Sequence, residues 1–290
     1  MRLQGSYPAL LTPFHYGQVD EEALRALVEK QVRGGSAGLV ACGSTGEAAT
    51  LSAAEYRRVV RAVIEQARGR VPVIAGVATN ATERAVEAAK EAERLGADAL
   101  LVLAPYYNKP TQEGLVAHFG AVAKATDLPV VAYNIPGRTA VNILPATLAR
   151  IAKENRTVVA VKEASGSLDQ VSEILTLCPK DFTVLSGDDS LTLPMIAVGA
   201  KGVISVVANL LPRETAALCA AALKGDFTKA RRLHLELFPL IKTLFLETNP
   251  IPVKAAAAIL GLCSDEVRLP LTRMSREPRE KLRRALAPWR

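Results

Sequence analysis

The segment Val158-Val159-Ala160-Val161-Lys162-Glu163-Ala164-Ser165-Gly166 runs from β-branched and small apolar residues into a strand-ending lysine and a glycine-bounded loop. An unbroken apolar run of this kind reads as a strand covered on both faces, the situation in a parallel sheet flanked by helices. Leu128-Pro129-Val130-Val131-Ala132-Tyr133 has the same character, and Pro145–Glu154 between the two reads as a crossover helix. Working outward, strands are expected at Ser6–Leu10, Gly38–Ala41, Val73–Gly76, Ala99–Leu103, Val130–Asn134, Val158–Lys162, Thr183–Ser186 and Gly202–Val206. Amphipathic helical stretches fall between them at Asp20–Arg33, Ala53–Ala67, Thr82–Leu95, Thr111–Ala125, Leu168–Leu177 and Leu191–Val198. Strand starts advancing in steps of 19 to 35 residues predict an α/β fold, a TIM (β/α)8 barrel over residues 1–225, with a doubly wound open sheet as the alternative. Residues 226–290 carry only helical patterns, including Phe227–Leu246 and Pro252–Leu260, and are expected to form a small C-terminal helical extension.

Composition narrows the function classes. The longest apolar runs are far shorter than the ~20 residues of a bilayer-spanning helix, and the first residues lack a signal-peptide pattern, so a cytoplasmic protein is expected. Cys42, Cys178, Cys219 and Cys263 are scattered, and His15, His118 and His234 stand at no ligand spacing, so neither a disulfide framework nor a metal site is expected. The net charge of +7 is concentrated in the tail after Glu266, where Ser275 and Pro278 suit the start of a solvated basic helix. With 4% aromatic residues and no basic stretch interleaved with them, nucleic-acid binding is not expected.

A barrel places its chemistry at the C-terminal strand ends. Lys162, following apolar Val158–Val161, is positioned to project its amine into a poorly solvated barrel mouth, where burial favours the free base and a carbonyl can be attacked to form a Schiff base; pairing with Glu163 is the competing reading. Gly43-Ser44-Thr45-Gly46-Glu47 is a tight turn whose N–H groups and hydroxyls suit a carboxylate, against a plain helix cap. Tyr107 and Tyr133 at strand ends are potential proton carriers, or else rim packing. Arg138 offers a planar fork for a carboxylate, or is a surface arginine. Asp188-Asp189 reads as a helix cap, and Cys42 as a small strand residue.

The ordered set of Gly43–Glu47, Pro105-Tyr106-Tyr107-Asn108, Tyr133–Thr139, Val161-Lys162-Glu163-Ala164, Leu185–Asp189, Gly202–Ser205 and Asn249-Pro250-Ile251-Pro252-Val253-Lys254 resembles the dihydrodipicolinate synthase family of the N-acetylneuraminate lyase superfamily, along nearly the whole chain. The resemblance implies that Lys162 forms an imine with pyruvate, with its carboxylate held around Thr45 and Gly187 and Ile204 lining the pocket. The derived enamine adds to L-aspartate 4-semialdehyde to give 4-hydroxy-tetrahydrodipicolinate of lysine and diaminopimelate biosynthesis. It also implies that Tyr133 carries protons through Ser44 and Tyr107, the latter crossing a subunit interface of a homotetramer, and that Arg138 grips the semialdehyde carboxylate. No cofactor or metal is implied. Ser44 departs from the family's usual threonine and also occurs in sugar-acid lyases, so an aldolase of the 2-keto-3-deoxygluconate or N-acetylneuraminate type is the alternative, and a regulatory or binding protein on the same barrel the non-enzyme one. Lysine-inhibited relatives hold lysine at the dimer interface; Asn80 and Tyr106 match that site, but Ala53, Tyr56 and Arg84 replace histidines and a glutamate, so weak or absent lysine feedback is expected.

Overall fold

The apolar runs pair in parallel through the computed structural model, which describes residues 3–290. Its strands are β1 (Gly5–Pro8), β2 (Phe14–His15), β3 (Gln18–Val19), β4 (Leu39–Ala41), β5 (Val73–Val77), β6 (Ala99–Leu103), β7 (Val130–Asn134), β8 (Val158–Glu163), β9 (Thr183–Ser186) and β10 (Gly202–Ser205). Eight of them form one sheet in the order β1-β10-β9-β8-β7-β6-β5-β4. A parallel bridge from Ala9 to Val40 brings its two edges together into a barrel. Inward-pointing Tyr7, Val40, Ile74, Leu101, Val131, Ala160, Leu185 and Ile204 fill the interior, while Leu39, Val73, Leu100, Val130 and Val184 face outward against helices. Both sides of each strand are thereby apolar, which is why the sequence runs are unbroken.

The helices are α1 (Glu21–Arg33), α2 (Ala53–Ala67), α3 (Thr82–Arg94), α4 (Gln112–Lys124), α5 (Pro136–Thr139), α6 (Pro145–Glu154), α7 (Leu168–Leu177), α8 (Thr192–Val198), α9 (Pro212–Leu223), α10 (Phe227–Thr243), α11 (Ile251–Ile259) and α12 (Arg276–Leu286). Their starts follow local chemistry. Asp20, Ser52, Thr111, Ser167 and Asp226 each accept a backbone N–H of the first turn. None of the helices of the described residues is long and apolar enough to cross a membrane.

Three features depart from expectation. The first strand stops at Pro8, and the chain beyond it makes the β2–β3 hairpin around Tyr16-Gly17, both at positive φ (46° and 77°). The alanine-rich α9, Pro-Arg-Glu-Thr-Ala-Ala-Leu-Cys-Ala-Ala-Ala-Leu, has no clear amphipathic stripe to announce it. The tail helix α12 is amphipathic, not solvated all round: Leu282 and Leu286 are fully buried, and the Ser275 hydroxyl bonds Glu247 and does not cap the helix. Helices α10 to α12 bury Leu237, Leu240, Val253, Leu282 and Leu286 in one core with Val206, Leu210 and Leu218 of the last barrel unit. The C-terminal helices are therefore packed as a continuation of the barrel, starting after the turn at Gly225.

Candidate active site

Lys162 owes its direction to a bulge. Val158 packs outward and Val130 is its register partner, yet the next register pair is Val131 with Ala160, so Val159 is skipped. That slip changes the parity of the strand: Ala160 and Lys162 turn inward, Val161 and Glu163 outward. Lys162 is buried opposite Tyr133 on β7, its Nζ 4.2 Å from the Tyr133 ring centroid. Glu163 faces the other side, where it accepts Asn134 Nδ2 at 3.0 Å, Gln170 Nε2 at 3.2 Å and the Ser165 N–H at 2.6 Å. The two neighbours in sequence thus do not pair.

Burial pushes the Lys162 amine down to about 7, with Asp189 opposing the fall and Arg138 adding to it. The same burial pushes Tyr133 up to about 12, eased by Arg138 and reinforced by Asp188, so its phenol is protonated at neutral pH. An amine that is partly the free base at neutral pH thus lies over the ring of a phenol that can supply a proton. A pH dependence follows with a definite sign. Below about pH 7 the amine is an ammonium and cannot attack a carbonyl, so imine formation with pyruvate, followed by stopped flow, should slow about tenfold from pH 8 to pH 6. A rate independent of pH over that range would remove the free-amine assignment.

Gly187 leaves room for the lysine stem: a Cβ there would lie 2.8 Å from Ala164 Cβ and 3.1 Å from Lys162 Cγ and Cε. Ile204 on β10 is buried in the barrel interior. Asp188 caps, but at the 3-10 turn Asp189–Leu191 and not at α8, whose start has no side-chain cap: it accepts the Ser190 N–H at 2.9 Å. Asp189 does not: its buried carboxylate accepts the Val206 and Val207 N–H groups, each at 2.9 Å, and so ties the loop after β10 to the loop after β9.

The Gly43–Glu47 turn starts no long helix. Residues Ala48–Thr50 make a single 3-10 turn, and α2 is capped separately by Ser52 with Glu55 in a reciprocal capping box. Ser44 and Thr45 are therefore free of a capping role. Thr45 is buried, and its Oγ1 accepts Asn249 Nδ2 at 2.9 Å; Arg138, at the exposed mouth on α5, donates Nη2 to the Asn249 carbonyl at 3.1 Å. Asn249 stands just before α11, so the C-terminal helices contribute to the wall of the site, a role the sequence reading did not assign although it singled out the Asn249–Lys254 motif. Tyr107 is not drawn in. It is 86% exposed, held at φ 73° with its N–H on the Thr139 carbonyl at 3.3 Å. Cys42 is fully buried in apolar surroundings that raise its thiol pKa, which suits packing and not nucleophilic attack. No group of three or more His, Cys, Asp or Glu side chains among the described residues is arranged to hold a metal ion.

The profile of the Dihydrodipicolinate synthetase family matches residues 2–288. The 4-hydroxy-tetrahydrodipicolinate synthase of Pelobacter propionicus is 55% identical over 268 residues, 92% of either chain. The crystal structure of dihydrodipicolinate synthase from Aquifex aeolicus superposes with a TM-score of 0.97 at 51% identity, covering 99% of this chain and 98% of that one. That of the Cyanidioschyzon merolae enzyme with lysine bound has a TM-score of 0.95 at 40% identity, covering 98% and 97%.

Proposed function

The chain belongs to the dihydrodipicolinate synthetase family, and from that premise we propose how its own residues perform the family's reaction. The protein is a lyase that condenses pyruvate with L-aspartate 4-semialdehyde to 4-hydroxy-tetrahydrodipicolinate, in lysine and diaminopimelate biosynthesis. The observation that carries the mechanism is the buried amine of Lys162 beside Tyr133 at the C-terminal end of β8. Lys162 attacks the pyruvate carbonyl and water leaves, giving an imine whose iminium form acidifies the methyl group. Loss of a methyl proton gives the enamine, whose carbon adds to the semialdehyde carbonyl. The semialdehyde nitrogen then attacks the imine carbon, closes the ring and releases Lys162. Tyr133 moves the protons, relayed through Ser44 and the Tyr107 of a second copy. Pyruvate's carboxylate lies at the Thr45 turn, with Gly187 and Ile204 completing the pocket. No metal or organic cofactor is called for, since the imine itself is the electron sink.

Arg138 grips the semialdehyde carboxylate. Arg138→Ala is expected to lower kcat/KM for the semialdehyde by about 100-fold, the loss of a charge-assisted pair of hydrogen bonds, while borohydride still traps pyruvate on the enzyme. The assay couples product to the downstream reductase and NADPH oxidation, with N-acetylneuraminate and 2-keto-3-deoxygluconate cleavage run beside it. Turnover of either sugar acid in place of the semialdehyde would move the protein to the aldolase branch.

Two exposed surfaces support assembly as a homotetramer. Tyr107 is exposed just beyond β6, and Leu235 and Phe238 are exposed on α10, which packs against α8, α9 and α12. Lysine feedback is weak or absent in this reading. Ala53, Tyr56 and Arg84 line one cavity of about 690 Å³ against α2 and α3, where Arg57, Arg84 and Arg94 outnumber Glu87 and Glu91. An excess of guanidinium there repels the ammonium groups of lysine. Turnover is therefore expected to keep at least half its rate in 1 mM lysine, about the upper end of ordinary metabolite-range affinities; half-maximal inhibition below that concentration would reverse the assignment. The composition and the absence of a membrane-crossing helix among the described residues fit a place in the cytoplasm.

A further inference from the structure

Beneath the Thr45 turn lies a buried ion pair that the chemistry above does not use. Lys254 on α11 is fully buried, and its Nζ lies 2.5 Å from Glu47 Oε1, an ion pair and not an aligned hydrogen bond. The Glu47 side chain also accepts the Arg268 N–H through Oε2 at 3.0 Å, and Lys254 donates to the Glu266 carbonyl at 2.7 Å. The Phe14 ring of the β2–β3 hairpin packs beneath both cations, 4.0 Å from Lys254 Nζ and 4.2 Å from the Arg268 guanidinium carbon.

Charges are costly to bury, and a hydrophobic pair of similar volume is often no less stable, so stability alone is a poor reason for this one. Its location supplies a better one. Glu47 is held at φ 54° and Cys42, at the other end of the turn, also at 54°, a left-handed conformation that a non-glycine residue keeps only where its surroundings over-determine it. Lys254 sits one turn into α11, whose approach carries Asn249, and Asn249 touches both Thr45 and Arg138. The Gly43–Glu47 turn and the C-terminal segment are therefore joined at Thr45–Asn249, at Glu47 with the Arg268 N–H and at Glu47–Lys254, and the ion pair is the most deeply buried of the three.

We propose that Glu47 and Lys254 are positioning residues for the substrate carboxylate: their buried pair locks α11 against the Gly43–Glu47 turn, so that Thr45 and Asn249 meet in the geometry that receives pyruvate. The proposal rests on the reading that Thr45 holds the pyruvate carboxylate. It makes the C-terminal helices a working part of the pyruvate site.

The test is the steady-state kinetics of the full-length enzyme carrying E47Q/K254M, which removes both charges together and leaves neither buried alone. The KM for pyruvate is expected to rise about tenfold or more, while the KM for the semialdehyde and the yield of the borohydride adduct at saturating pyruvate change less than about threefold. A lowered melting temperature with an unchanged pyruvate KM would make the pair a scaffold element and overturn the proposal. E47D, which keeps the charge but withdraws it by one methylene, is read if the double variant does not fold, with a pyruvate KM raised about threefold as the expected result; failure of both to fold also overturns it. Thr45→Val separates the two levels of inference. An unchanged pyruvate KM in that variant removes the role of Thr45 itself, whereas a raised one beside an unaffected E47Q/K254M removes only the role of the pair.

Discussion

Lys162→Ala is expected to lower turnover about a thousandfold or more and to abolish the mass increase that pyruvate and borohydride leave on the protein. No second amine can take over. The other lysine buried near this end of the barrel, Lys254, is fully enclosed and committed to Glu47 and the Glu266 carbonyl. Lys162→Arg should be equally inactive, because a guanidinium remains protonated and cannot form the imine. The two variants together separate loss of packing from loss of the nucleophile, since arginine keeps a long cationic side chain under the Tyr133 ring. Intact-protein mass spectrometry reads the result directly, and an adduct that persists in Lys162→Ala would relocate the nucleophile.

Tyr133→Phe is the second large effect, and its signature differs. The ring is retained, so the packing against Lys162 survives, but the phenolic proton is gone. Turnover should fall by about 10² to 10⁴, the span over which a positioned general acid or base accelerates proton transfer. Pyruvate should still be trapped by borohydride, more slowly, because the amine is unchanged. What should fail is the step that needs a proton carried away from the methyl group: exchange of pyruvate methyl protons with D2O, followed by NMR, is expected to slow as much as turnover does. Full exchange at the wild-type rate with lost turnover would place Tyr133 after enamine formation.

Much of this was readable along the chain, for identifiable reasons. Ala99–Leu103, Val130–Asn134 and Thr183–Ser186 are strands with the expected bounds because burial on both faces demands unbroken apolar runs, and such runs are visible without any partner. Ala53–Ala67 and Pro145–Glu154 are likewise helices as expected, since a capping box and an N-terminal proline mark their starts. The readings that failed concern side chains whose partners are distant. Asp189 was expected to cap the helix next to it, and instead holds two N–H groups of the next strand's loop. Most of the basic side chains of the tail helix are exposed as expected, but its two buried leucines, Leu282 and Leu286, are too few among those charges to mark the face that packs.

The sequence by itself determined the alternation of strand and helix, the end of the barrel at which reactive residues gather, and the order of motifs that marks the family. Those are local properties: apolar period, caps and neighbours in the chain. Only the tertiary structure decided which way those residues point. Strict alternation from outward-facing Val158 would send the Lys162 amine outside the barrel, and the bulge at Val159, which depends on register with β7, turns it in. Contact between Thr45 and Asn249, 204 residues apart, and the burial of Lys254 against Glu47 likewise arise only when the C-terminal helices close on the barrel. Side-chain direction and long-range pairing depend on packing between elements, and no stretch of chain carries that information alone.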